Sequence, residues 1–191
     1  MVADKVSKKP GVDLSTYESD FGTVNKISRI VWNICYWILF RPFNLNFFSS
    51  WRAFILKMFG AKVGYKANIY ASVKIWAPWN LSIGDYSSMG PGVDCYNQGK
   101  INIGNNTVIS QKTYLCASSH DFTKSNFPLI CKHIDIGNQV WVAADSFIAP
   151  GVSIGEGSVV GARSAVFKNV GIWEVVGGNP ACFIKERHIS E

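Results

Sequence analysis

From Val63 to about Val170, apolar side chains recur on a six-residue beat, in groups of three: Val63, Ile69 and Ile75; Ile83, Met89 and Cys95; Ile103, Ile109 and Leu115; Ile136, Val142 and Ile148; Ile154, Val160 and Val166. A helix repeats every ~3.6 residues and an alternating strand every ~2, so a period of six is neither by itself. Six is, however, a multiple of two. Short extended segments can repeat with a turn after each, keeping every anchor on the inside. The beat is interrupted at length once, immediately after His120, and resumes at Ile136.

The residue four places after each anchor is mostly Ala, Ser, Thr or Val, as at Ala67, Val73, Ser87, Thr107, Val140 and Ser164. Large anchors can fill a flat interior while small residues fit inside tight corners. Pro91-Gly92 and Pro150-Gly151 sit where turns are due. A longer recurrence overlies the sixes: Val63-Gly64, Ile83-Gly84, Ile103-Gly104, Ile136-Gly137 and Ile154-Gly155. Three segments therefore close one triangular coil. About five coils, stacked ~4.8 Å apart like neighbouring parallel strands, make an all-β solenoid over residues 63–170, with an excursion loop at 121–133.

Residues 1–62 precede the beat. Residues 1 to about 22 are polar, contain Pro10 and Gly11, and read as a loosely ordered arm. Val24 to Phe40 has helical apolar spacing and is stopped by Arg41-Pro42. Ser49 to Phe59 reads as a second helix, capped by Ser49 or Ser50 and ended by Gly60. Lys26, Arg29, Arg41, Arg52 and Lys57 accompany these aromatic helices. Two readings follow: packing against the rest of the protein, or a peripheral membrane contact through residues 24–59, with cations at the headgroups and rings below them. Residues 171–191 form a tail.

Composition narrows the function. A net charge of +6 suits an anionic partner, but no Lys/Arg cluster is dense enough for nucleic acid. Five scattered cysteines without CxxC or Cys/His metal spacing read as reduced thiols of a cytoplasmic protein. Lys5, Lys8 and Lys9 are followed by Pro10 and Gly11 instead of an apolar stretch, which is not a signal peptide. The longest apolar run, Ile30 to Phe40, is broken by Asn33 and is about half the ~20 residues that span a bilayer.

The repeat resembles that of the hexapeptide-repeat acyltransferases. Within them the chain is most similar to the acetyltransferases assigned to colanic acid biosynthesis. The matching stretches are Trp51-Arg52-Ala53-Phe54, Phe59 to Gly64, Ile109-Ser110-Gln111-Lys112, Leu115-Cys116, Ser119-His120-Asp121, Ala149 to Val152, Val160 to Ser164, and Gly178-Asn179-Pro180-Ala181. The resemblance implies a left-handed parallel β-helix, a homotrimer with sites between subunits, and acetyl-CoA as donor without a metal. It also implies a saccharide acceptor, such as an exopolysaccharide precursor, free or lipid-linked at the inner face of the membrane. A small acceptor (free sugar, serine or antibiotic) and a non-enzymatic scaffold are the alternatives.

A loop that breaks a regular solenoid does not arise from core packing. By the resemblance, His120 at its root is the general base, which a hydroxyl nucleophile requires. His133 and His188 read as surface residues, and a zinc site on this fold would need three clustered histidines. Asp121 points away from His120 on an extended segment and reads as an acceptor ligand. Relatives place an acceptor-binding asparagine on the preceding coil, where this chain has Gly90, leaving Asp94, Tyr96 and Asn97 as polar substitutes. The resemblance further implies Trp141 beside the thioester, backbone at Ala143 and Ala144 along the pantetheine arm with an N–H for the oxyanion, and Ala162 one coil on. Lys168, Lys185 and Arg187 are the candidates for the cofactor's phosphates.

Overall fold

A computed structural model describes residues 11–17 and 21–190. The expectation of a loose arm at 1–22 therefore lies partly outside the described residues. From Lys62 onward the chain winds through three parallel sheets. The first stacks Lys62–Val63, Leu81–Ile83, Ile101–Ile103, Ile134–Ile136 and Ser153–Ile154. The second stacks Asn68–Ile69, Ser88–Met89, Val108–Ile109, Trp141–Val142 and Val159–Val160. The third stacks Lys74–Ile75, Asp94–Tyr96, Tyr114–Cys116, Phe147–Ile148 and Ala165–Val166. All fifteen anchors are buried, so the six-residue beat is the core. A partial sixth turn follows: Val170 bridges Ile154, and Glu174–Gly178 joins the second sheet before folding back as Ala181–Glu186.

The corners explain why six residues suffice. The third residue after an anchor takes a left-handed backbone at Lys66, Tyr86, Asn106, Lys112, Gln139, Asp145 and Arg163, with φ from 51° to 59°. Glycine fills the same place at Gly92, Gly151 and Gly157. Small hydroxyl residues one place later face inward and bond the coil above, as Ser87 Oγ to the Gly104 carbonyl at 2.6 Å and Thr107 Oγ1 to the Gly137 carbonyl at 2.8 Å. The same corner is also laced from outside. Asp85 Oδ1 accepts from Tyr65 N–H, Asn105 Oδ1 from Asp85 N–H, and Asn138 Oδ1 from Asn105 N–H, at 2.6, 2.7 and 2.8 Å.

The first coil would end in unpaired strand edges, which proteins pair or cover. Here two helices cover them: α1 (Thr23–Cys35), extended by a wider π-helical turn at Tyr36–Phe40, and α2 (Ser49–Met58). Trp32 of α1 is fully buried and donates Nε1–H to the Ile75 carbonyl at 2.8 Å. Arg52 of α2 is equally buried, with Nε bonded to the Ile69 carbonyl at 2.7 Å and Nη1 to the Phe43 and Leu45 carbonyls at 2.6 and 3.0 Å. Burial lowers the pKa of this guanidinium from its ordinary value. Arg52 thus caps the solenoid and does not join a basic surface, a correction to the interfacial reading.

The second correction concerns which face of α1 packs. Trp32, Tyr36 and Phe40, spaced by four, point inward, whereas Val24, Ile27, Ile30, Val31, Ile34, Trp37 and Ile38 are exposed. Among the described residues, no helix is long and apolar enough to cross a membrane.

Candidate active site

Between Cys116 and Ile134 the chain leaves the solenoid as an antiparallel hairpin, Ser118–His120 against Leu129–Cys131, with His120 opposite Leu129. Gly99 lies beneath the hairpin's base, where a Cβ would stand 2.8 Å from both the Ala117 and Lys132 carbonyl oxygens. His120 is the last residue of the outgoing strand and is exposed. Its Nδ1 lies 2.7 Å from the Phe127 carbonyl oxygen across the hairpin tip. A carbonyl can only accept, so Nδ1 carries the proton in the neutral ring, and Nε2 is left with its lone pair facing out. The hairpin therefore fixes the tautomer that a base requires.

Asp121 turns into the hairpin tip, where Oδ1 accepts from Thr123 N–H at 3.1 Å and from its hydroxyl at 2.6 Å. Those bonds, the hydroxyl's first, lower its carboxyl pKa below the ordinary value. One of its oxygens is thus engaged in shaping the loop. Asn97 departs further from expectation. It is fully buried, its Oδ1 accepts from the Ala77 N–H at 3.0 Å, and its Nδ2 donates to the Ala77 carbonyl at 2.6 Å. The side chain joins two coils and offers nothing to an acceptor. Gly90, where the resemblance implied an asparagine, has no room for one, because a Cβ there would lie 2.9 Å from the Gln111 nitrogen.

Asp94 and Tyr96 do face outward on the third sheet. Asp94 pairs with Lys74 at 3.8 Å, and the Tyr96 hydroxyl accepts from Gln98 Nε2 at 2.9 Å. They belong to an aromatic strip that sequence reasoning missed. Ring centroids run Trp76–Tyr96 at 6.5 Å, Tyr96–Tyr114 at 6.1 Å, Tyr114–Phe147 at 5.6 Å and Phe147–Phe167 at 5.7 Å. Burial raises the pKa of both Tyr96 and Tyr114, so both phenols stay protonated near neutrality. The signal was available: Trp76, Tyr96 and Phe167 each follow a third-sheet anchor by one residue, and Tyr114 and Phe147 each precede one, both outward positions.

The expected donor residues gather at another corner, between the second and third sheets. Trp141 is half exposed and donates Nε1–H to Ser110 Oγ at 3.0 Å. The Ala143 N–H is engaged in the ladder to the Val160 carbonyl, and the Ala144 carbonyl accepts from Arg163. Among the described residues the N–H groups of Ala144 and Ala162 have no backbone partner, which leaves them able to bind a ligand along this corner. Of the expected phosphate ligands, Lys168 and Lys185 are exposed. Arg187 instead fastens the tail, donating from Nη1 to the Gln139 and Gly157 carbonyls at 2.8 Å each. His120 sits at the corner between the third and first sheets, so one protomer does not bring it to the Ala144–Ala162 corner.

A solenoid of six-residue turns, a tautomerically fixed histidine at a hairpin root and open N–H groups along a second corner together are the arrangement of a solenoid acyltransferase. Residues 133–168 match the family described as Bacterial transferase hexapeptide (six repeats). The WcaF protein of Escherichia coli K12, named as a candidate acetyltransferase of colanic acid biosynthesis, is 52% identical over 137 residues, which are 72% of this chain and 75% of that one. The galactoside O-acetyltransferase of the same organism is 33% identical over 125 residues, 64% of this chain and 56% of that one. A hexapeptide-repeat acetyltransferase of Vibrio cholerae O1 biovar eltor, solved with acetyl coenzyme A, superposes with a TM-score of 0.79 at 22% identity, over 91% of this chain and 94% of that one. The chain belongs to the hexapeptide-repeat acetyltransferases, whose fold is the left-handed parallel β-helix.

Proposed function

We propose that this protein transfers an acetyl group from acetyl-CoA to a hydroxyl of a saccharide, a precursor of an exopolysaccharide. The observation that carries the reading is the bond from His120 Nδ1 to the Phe127 carbonyl, which leaves Nε2 as an oriented base. His120 Nε2 takes the hydroxyl proton as the oxygen attacks the thioester carbonyl. The Ala144 N–H is the backbone donor suited to the oxyanion, because the Ala143 N–H is already engaged. Collapse breaks the carbon–sulfur bond, and the thiolate of CoA takes the proton from His120. Trp141 packs beside the thioester, Ala162 extends the cofactor path, and Lys168 and Lys185 remain the cations for its phosphates.

Because the base and the donor corner lie apart in one protomer, the site is shared between copies, one subunit's His120 facing the Ala144–Ala162 corner of the next, and the homotrimer that the family resemblance implies would supply that arrangement. Acetyl-CoA as donor supports a cytoplasmic site for the reaction. The exposed stripe of α1, from Val24 to Ile38, favours an acceptor presented at a membrane surface, with Lys26 and Lys57 as the exposed cations. Flotation with anionic vesicles checks this: the full chain should rise with the lipid, and a chain that stays behind would leave the stripe to a protein partner.

The test of the main reading is acetyl-CoA with a panel of oligosaccharides, free sugars, serine and chloramphenicol, read by mass spectrometry. O-acetylated oligosaccharide is the expected product. Turnover confined to a small acceptor would move the protein to the rival class, and failure to bind acetyl-CoA in calorimetry would leave only a scaffold.

A further inference from the structure

The segment before the solenoid does more than cap it. Asp13 N–H donates to the Ser125 carbonyl in the catalytic hairpin at 2.9 Å, and the Tyr17 ring lies 6.1 Å from the His120 ring. Phe21 meets Trp76 at 4.9 Å, and the Arg29 guanidinium carbon sits 3.7 Å from the centroid of the Trp76 ring. Residues 13, 17, 21 and 29 thus run along the outer face of the third sheet, from the hairpin to the start of the aromatic strip. With the aromatic strip they make up one face that leads to His120.

Beside this face lie polar atoms that lack partners. Arg29 Nε, Asn25 Oδ1 and Gln98 Oε1 are buried with no hydrogen bond among the described residues. They are neighbours: Asn25 and Arg29 are one helical turn apart on α1, and Gln98 reaches the hydroxyl of Tyr96, which feels the charge of Arg29. Native proteins satisfy buried polar atoms, and a group of them unsatisfied beside a reactive histidine fits a ligand. Asn25 Oδ1 and Gln98 Oε1 are acceptors, suited to sugar hydroxyls. Arg29 is a planar donor held in place by its stack on Trp76. Of the charges around it, Asp94 is already paired with Lys74, and the Tyr96 phenol is neutral near pH 7. Burial also lowers the pKa of Arg29, as it does for a cation without a close counter-ion.

Resting on the acetyl-transfer reading, we propose that this face is the acceptor subsite and that Arg29 selects a sugar carrying an anionic substituent, a carboxylate or a phosphate. Tyr17 flanks the sugar next to His120. The acceptor is thereby a charged saccharide and not a neutral one.

Calorimetry on the full chain tests this with methyl β-glucoside, methyl β-glucuronide and glucose 1-phosphate, which share a ring and differ in charge. At least one anionic sugar should bind about tenfold more tightly than the neutral glycoside, and which one does identifies the substituent. Arg29→Gln should bring all three within about twofold, Arg29→Lys should keep part of the preference, and Tyr17→Ala should weaken all three alike. Equal binding of the three by the unaltered chain, a preference that survives Arg29→Gln, or no binding of any at millimolar concentration would overturn the proposal. The unaltered chain decides the matter even if a variant fails to fold. Acetyl-CoA binding, measured separately, shows whether the acetyl-transfer reading has failed instead.

Discussion

Arg52 gives the sharpest statement about stability. Replacing it by Met keeps an unbranched side chain of similar reach and removes the charge. Four bonds go with it, three to the carbonyls of Ile69, Phe43 and Leu45 and a long one to Asn68 Oδ1 at 3.4 Å. Hydrogen bonds from a charged donor contribute about 1.5–3 kcal/mol each, but removing a buried cation also removes a desolvation penalty of several kcal/mol. Phe43 and Leu45 lie in a largely exposed segment, so water can take over their carbonyls. Ile69 is 1% exposed and sits on the bottom edge of its sheet, so its carbonyl stays unpaired. An orphaned buried acceptor costs about 1–3 kcal/mol. The net expectation is a loss of about 2–4 kcal/mol, or a fall in Tm of roughly 5–15 °C for a chain of this size. Urea unfolding followed by circular dichroism measures the total, and hydrogen exchange locates it. The Asn68 and Tyr70 amides, bonded to the Ser87 and Met89 carbonyls, should lose protection while the Trp141 amide keeps its own. Stability within ~0.5 kcal/mol of the unaltered chain, or uniform loss of protection, would refute the capping argument.

Four further outcomes follow from the same geometry. Gly90→Asn should lower Tm by several degrees and restore no acceptor contact, because its Cβ meets the Gln111 nitrogen; calorimetry with sugar checks both. Trp141→Ala should weaken acetyl-CoA binding roughly three- to tenfold with kcat little changed, read by isothermal titration. Mixing inactive His120→Ala chains with chains blocked at the donor corner by Ala162→Trp should recover about a quarter of the normal activity, since one interface in four joins two intact halves; no recovery would deny the shared site. Thr123→Val should return the Asp121 carboxyl toward its ordinary pKa in an NMR titration. Its folded value is depressed, so whatever this turn adds to loop order is present above the unfolded pKa of 3.8 and is lost as pH falls below that, through the folded value.

The solenoid was legible because its signal is repeated: each coil needs inward anchors and small corners, and fifteen anchors cannot agree by accident. The excursion was legible as an interruption, but not its form. Ser119, four places after Leu115, continues the beat on paper and belongs to the hairpin in space, since short strands of small polar residues have no periodicity of their own. Asn97 read as a polar ligand because residue type does not reveal that its amide closes on Ala77. Arg52 read as surface charge because the carbonyls that hold it come from two separate stretches of chain, Phe43 to Leu45 and the strand of Ile69. The apolar stripe of α1 was visible, yet helical spacing tells only that a stripe exists. What covers it is settled by other surfaces, and within the protomer the buried side is that of Trp32, Tyr36 and Phe40. The acceptor face was hardest to foresee, because Tyr17, Arg29, Trp76 and Tyr96 meet only after the first coils have stacked.

The central claim is that His120 is the base for acetyl transfer to a saccharide. It is tested most directly by the steady-state kcat of His120→Ala with acetyl-CoA and an oligosaccharide acceptor, alongside acetyl-CoA affinity and oligomeric state. The account predicts a fall in kcat of about 10²–10⁴-fold with donor binding and assembly unchanged. Turnover within tenfold of the unaltered enzyme would contradict it.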